Sequence, residues 1–235
     1  MRDSIDLLTR NSPRTESYSS SFDQLFASIR LAHKYQIEHV ERGGLAILEG
    51  YFFCSLDRWL SIAQNPFLKS CNPIGVINLA RLTDTPALLP VAFFLACHEG
   101  GKLLDGWTRK DGSVEFLSTE DIKRCMDGRN TLADSATQLL LEIFAPMTSL
   151  DCHDSLGGCR RAMASLIVEL NCHVVPSGID MLDSWCDFIK DQAKESGLCG
   201  TCVTELLERD EAERKGVWHK LPSTFSLSVE GWPKA

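Results

Sequence analysis

This sequence has little of what marks a membrane, secreted or catalytic protein. No apolar run reaches the roughly 18 residues that a bilayer demands. The longest, 87–97 and 139–144, are short, and the first contains Pro90. Residues 1–4 (MRDS) lack the basic-then-apolar order of a signal peptide. There is no Asn-x-Ser/Thr acceptor; Asn11-Ser12-Pro13 comes nearest. Gly-x-Ser-x-Gly, His-Glu-x-x-His, the Walker loop and the dinucleotide fingerprint are all missing. Gly100-Gly101-Lys102 lacks the rest of a phosphate loop, and Cys97-His98 points its two side chains about 100° apart on a helix, which prevents a dyad. Basic charge is also scarce. With 24 Lys and Arg against 32 Asp and Glu, the net charge is −8, the wrong sign for neutralising phosphates. These absences predict an intracellular protein, cytoplasmic or nuclear, that is not an enzyme and binds neither nucleic acid nor membrane.

What remains is an ordinary globular composition, 44% apolar and 24% charged over 235 residues, long enough for one large domain or two small ones with a real core. The periodicity is helical. Residues 1–21 are polar and Ser-rich and read as a loose arm. From Phe22, the residues Leu25, Ile29 and Ala32 recur at threes and fours. A second helix is expected from Gln36-Ile37 to Tyr51, weakened in its middle by Gly43-Gly44. Ser55 is placed to cap a short helix ending near Ala63, and Pro73 and Thr85-Pro86 open two more. Asp111-Gly112, between short alternating runs within 107–116, predicts a tight β-hairpin near residues 110–112. Ser118-x-x-Asp121 opens a helix, with a break at Gly128 left open, running on to Pro146. After a turn-rich link over 147–158 come a helix through Ala162, Leu166 and Leu170, a break at 176–178, a helix carrying Leu182, Trp185, Phe188 and Ile189, and a long helix from Cys199–Cys202. The tail from Pro222 alternates Phe225, Leu227 and Val229. The fold class is therefore mainly α: an irregular multi-helix assembly with one small hairpin. Its expected parts are 1–21, a helical region over 22–146 and a C-terminal helical region over 147–235.

Ten cysteines without a secretory signal point to free thiols or metal ligands rather than disulfides. Cys199-Gly200-Thr201-Cys202, just before a helix, can supply two corners of a tetrahedral metal site. Cys152 and Cys159 are the best candidates for the other two, because Gly157-Gly158 lets their segment curl around an ion. Zinc is the metal such a set suits. The same residues also read as small buried apolar groups, or as a redox dithiol at Cys199/Cys202, although Ser196-Gly197-Leu198 looks like a helix exit rather than the strand such a motif follows. His153 can stand in for Cys152, and Cys172-His173 is a rival ligand pair. Cys54, Cys71, Cys97, Cys125 and Cys186 read as packing residues.

The run 205–215 places Glu205/Arg209, Asp210/Arg214 and Glu211/Lys215 four residues apart, which predicts a solvated helix face. Trp218 and Leu221 beyond it read as core. A zinc-dependent DNA binder would need a basic face, and only Arg160-Arg161 lies near the cysteines.

Several segments together resemble a fungal family, the post-BTB region of basidiomycete BTB/POZ-domain proteins. They are residues 31–40 (LAHKYQIEHV), 76–84 (VINLARLTD) with Pro86 and 88–90 (LLP), 108–112 (TRKDG), Leu117-Ser118, Leu198-Cys199-x-x-Cys202, Arg209, Glu213-Arg214, Trp218, Leu221-Pro222 and Gly231-Trp232. The resemblance spans about residues 22–232. It implies a protein-binding adaptor whose Cys152, Cys159, Cys199 and Cys202 hold a structural zinc ion. It also implies a BTB fold ahead of residue 22, where about twenty polar residues stand instead. Homodimerisation and docking to a cullin-type ligase are expected only where that module is present. Without it, Phe22, Leu25, Phe26 and Ile29 are expected to form an exposed apolar patch that meets an unknown protein partner.

Overall fold

Short polar residues start the early helices. Ser55 Oγ accepts the Arg58 N–H at 3.4 Å, and Asn65 and Asn72 each accept, at 2.9 Å, the N–H two residues on. Pro66 and Pro73 follow at first helical positions, where a missing N–H costs nothing. In this computed structural model, which describes residues 21–154, 156–173 and 180–233, the helices are α1 Phe22–Lys34, α2 Glu38–Phe52, α3 Leu56–Ile62, α4 Pro66–Ser70, α5 Pro73–Leu82, α6 Leu89–Glu99, α7 Thr119–Ile143, α8 Gly158–His173, α9 Cys186–Ser196 and α10 Gly200–Thr224. Between α6 and α7, β1 Trp107–Thr108 pairs antiparallel with β2 Val114–Glu115, Thr108 opposite Val114. The fold is mainly α with this one small hairpin among the described residues. Gly112 at φ 82° and the Asp111 carboxylate accepting the Ser113 N–H shape its turn, as the Asp-Gly pair predicts.

The chain packs as two units, one within Met1–Gly128 and Leu221–Lys234, the other within Arg129–Lys220. The division falls inside α7 and inside α10, not at 146/147 where the sequence pattern places it. The expected arm over 1–20 lies outside the described residues, as does the break expected at 176–178.

In the first unit, the apolar face of α1 is core. Phe22, Leu25, Phe26 and Ile29 are all buried, which overturns the exposed patch expected there. Trp107 on β1 covers the two phenylalanines. Its ring lies 5.4 Å from Phe22 and 5.0 Å, edge-on, from Phe26. Ile29 meets α2 at Gly44, where a Cβ would come within 2.5 Å of it. Gly44 is thus a close-approach residue, while Gly43 has open space around it. Helix α2 starts at Glu38, two residues later than expected, because Gln36 adopts φ 56° and interrupts the helical path.

From Pro86 to Asp105 the chain stays helical for 20 residues, and an 18-residue window within it has a mean hydropathy of 1.3, a longer apolar stretch than the run 87–97 seen in the sequence. Two 3-10 turns extend α6 on either side, and Leu88–Phe94 is buried throughout, which marks a core helix. Helix α7 runs through Gly128 without a break. A side chain there would collide with Phe225, which itself stacks on Phe93 at 5.4 Å. The tail differs from the expected alternating segment. Pro222 lies inside α10, and the chain turns back after Thr224, with the Leu227 N–H donating to the Pro222 carbonyl.

The second unit has its own apolar centre, formed by Leu139 and Ile143 of α7, Phe144 just past its end, Met163 and Leu166 of α8, Ile189 of α9 and Leu206 of α10. Helix α9 begins only at Cys186, with Leu182 in a preceding 3-10 turn. Trp218 is core as expected, and so is Leu221 in the first unit. The expected ion pairs of 205–215 all form, at 3.2, 2.9 and 2.7 Å. The face is not uniformly solvated, however. Asp210 and Arg214 are buried, because Ser184 Oγ and the Trp185 N–H also converge on the Asp210 carboxylate.

Candidate metal centre

Two separate segments bring sulfur to one place in the second unit. The first is 147–157, the link between α7 and α8. Arg209 on α10 holds its start, donating to the carbonyls of Ala145 and Met147 at 3.2 and 2.8 Å. Asp154 holds its end, accepting the N–H groups of Leu156 and Cys159. This is an Asx turn that caps α8 and carries Cys159 into the core. The backbone donors, Cys159 first, keep the Asp154 carboxyl below its ordinary range. The second segment is the start of α10. Gly197, left-handed at φ 73°, ends α9, the helix exit read from Ser196-Gly197-Leu198. The chain then turns through Cys199 into α10.

The Sγ atoms of Cys152, Cys159, Cys199 and Cys202 all lie within 4.8 Å of one another. Four thiolates about 2.3 Å from one zinc ion sit about 3.8 Å apart, and Cys152 and Cys199 already stand at 3.8 Å. The set therefore could bind a metal ion. Cys159 and Cys202 are buried among the apolar residues of the unit, while Cys152 and Cys199 are partly exposed.

The surroundings treat the four sulfurs unequally. The Cys199 N–H donates to Cys159 Sγ at 3.4 Å. That bond draws the Cys159 thiol down, but burial and the neighbouring sulfurs outweigh it and leave the thiol above its usual value. Burial pushes Cys202 up to about 12, against the pull of the Ser149 N–H. Cys199 goes the other way, to about 6, through the Thr201 hydroxyl 3.1 Å away and the Cys202 N–H in the first turn of α10. Buried thiolates side by side need a cation, and a metal ion bound by the four sulfurs would supply it.

All four residues expected as ligands are thus brought together. His153 is exposed and outside the cluster. The side chains of Cys172 and His173 lie outside the described residues. Cys54, Cys71, Cys97 and Cys125 are buried as packing residues, and Cys186 is half-buried. The supporting residues Asp154, Thr201 and Arg209 carry no ligand signature. Of the three, Asp154 alone carries a sequence signal, a capping residue four positions ahead of the Gly158 that opens α8.

The first unit carries a cleft of about 600 Å³. Its three guanidiniums already face carboxylates: Arg30 pairs with Glu115, and Arg81 and Arg124 pair with Asp121 at 2.7 and 3.2 Å. Its lining has no histidine or cysteine. The chain matches no protein-family model, no curated protein and no solved structure.

Proposed function

We propose that this chain is a non-enzymatic protein-interaction protein, an adaptor, whose second unit is fixed by a structural zinc ion on Cys152, Cys159, Cys199 and Cys202. The observation that carries the reading is the meeting of four sulfurs from two segments within 4.8 Å. Four protein thiolates fill a tetrahedron and leave no position for water or substrate, which is the pattern of a structural rather than a catalytic site. Soft sulfur donors favour zinc over hard cations. Such an ion ties the loop before α8 to the start of α10, and its binding free energy becomes folding free energy for that unit. The adaptor role rests on the resemblance to the region after the BTB domain in basidiomycete proteins, and the partner it fits is a protein.

Metal analysis of the purified chain tests the zinc centre. One zinc per chain, with a tetrahedral tetrathiolate spectrum after cobalt substitution, is the expected result. Iron, or no metal at all, overturns it. The rival reading is a thiol-disulfide protein working through Cys199 and Cys202. It requires that pair to cycle and to turn over a disulfide substrate, and such turnover would displace the adaptor reading.

A further inference from the structure

The four sulfurs are not equivalent in access. Cys159 and Cys202 are 2% and 0% exposed, whereas Cys152 and Cys199 are partly open to solvent with their Sγ atoms 3.8 Å apart. The centre therefore has an inner edge closed off by the core and an outer edge that a small solute reaches. The two outer sulfurs come from different segments, and their 3.8 Å separation is about 1.8 Å longer than a bonded S–S pair.

We infer that Cys152 and Cys199 form an oxidative modification site, the pair that hydrogen peroxide joins as a disulfide, and that the metal is discharged when they are joined. The inference rests on the zinc reading above for its second half only. In the first step a thiolate of the outer pair attacks one peroxide oxygen. The O–O bond breaks, hydroxide departs and a sulfenic acid forms. In the second step the other outer thiolate attacks that sulfur and expels a second hydroxide. Two electrons leave the two sulfurs, the peroxide is reduced, and two protons from the buffer convert the two hydroxides to water. Only Cys159 and Cys202 then remain as ligands. Two buried thiolates do not complete a tetrahedron, so the ion passes to solvent and the two sulfurs take up protons. The CxxC pair, Cys199 with Cys202, is disfavoured because Cys202 has no exposed surface.

The test uses the full chain with its metal and needs no variant. Hydrogen peroxide is added in modest excess, released zinc is followed with a chromogenic chelator, free thiols are alkylated under denaturing conditions, and disulfides are mapped by mass spectrometry. One Cys152–Cys199 disulfide per zinc released, reversed by dithiothreitol and added zinc, is the expected result. A first disulfide through Cys159 or Cys202 overturns the inference. So does zinc retained with all four thiols reduced, which leaves the structural-zinc reading standing. A chain that purifies without metal and still joins Cys152 to Cys199 does the reverse, removing the zinc reading and keeping the modification site.

Discussion

The Asp210 carboxylate and the Arg214 guanidinium meet through two hydrogen bonds, Nε to Oδ1 at 3.1 Å and Nη2 to Oδ2 at 2.9 Å, both side chains almost wholly buried. One turn of the same helix holds Glu211 and Lys215 with the same spacing, and there the glutamate is exposed. The two pairs look alike in sequence and differ in what surrounds them.

Their contributions to stability therefore differ. Asp210→Ala leaves a buried guanidinium without its partner and frees Ser184 Oγ and the Trp185 N–H. A loss of about 3–5 kcal/mol is expected. Glu211→Ala should cost no more than about 0.5 kcal/mol. Urea unfolding of the two variants beside the parent chain checks both; equal losses would show that burial does not govern this pair.

The adjacent glycines of α2 should respond with opposite signs. Gly43→Ala adds a methyl group into open space and removes a flexible residue from a helix, so a gain of about 0.5–1 kcal/mol is expected. Gly44→Ala drives a Cβ to 2.5 Å from the buried Ile29 side chain. Overpacking of about 1–3 kcal/mol offsets or exceeds the same helical gain. Thermal melts of the pair separate the two effects, and a rise in both would refute the close approach of α1 and α2.

Removing a cluster thiol should act on metal and stability together. Cys202→Ser is expected to lose the zinc and to lower the unfolding midpoint, because metal binding and folding of that unit are coupled. Cys186→Ser, outside the cluster, should keep both. A strong chelator added to the parent chain should reproduce the Cys202→Ser effect. Full zinc content in Cys202→Ser would remove that residue from the ligand set.

Alkali should weaken the first unit. Burial pushes the Cys71 thiol up to about 12, and burial, partly offset by Arg58, pushes Cys54 to about 11, from an ordinary value of 9.0. Both thiols are then held protonated by folding. Their contribution is complete below pH 9 and is lost as pH rises through 11 to 12, at up to about 1.4 kcal/mol per pH unit for each group. Stability measured from pH 8 to 11 should fall less steeply in Cys71→Ala than in the parent chain. Parallel curves would show that this thiol ionises as freely folded as unfolded.

Features decided within a few residues were legible in the sequence. Ser55 and Pro73 announced their helices, Asp111-Gly112 the hairpin, and the CxxC with Gly157-Gly158 the four sulfurs that meet. What escaped depends on distant partners. Phe22 and Phe26 of α1 are covered by Trp107, some eighty residues further along. Asp210 is buried by Ser184 and Trp185, 26 and 25 residues before it. A periodic pattern says which side of a helix is apolar or charged, but not what will cover it.

The contact of Phe225 with Gly128 and Phe93, together with Trp232 against Phe53 at 5.9 Å, makes the first unit the last to be finished. On the ribosome, α1–α6 and the hairpin emerge early. They must wait for somewhat more than a hundred residues, about 5–20 s at ordinary elongation speeds, before their closing aromatic rings arrive. During that interval the hollow at Gly128 faces water or a chaperone, while the second unit, whose sequence is continuous, has all its parts in hand first.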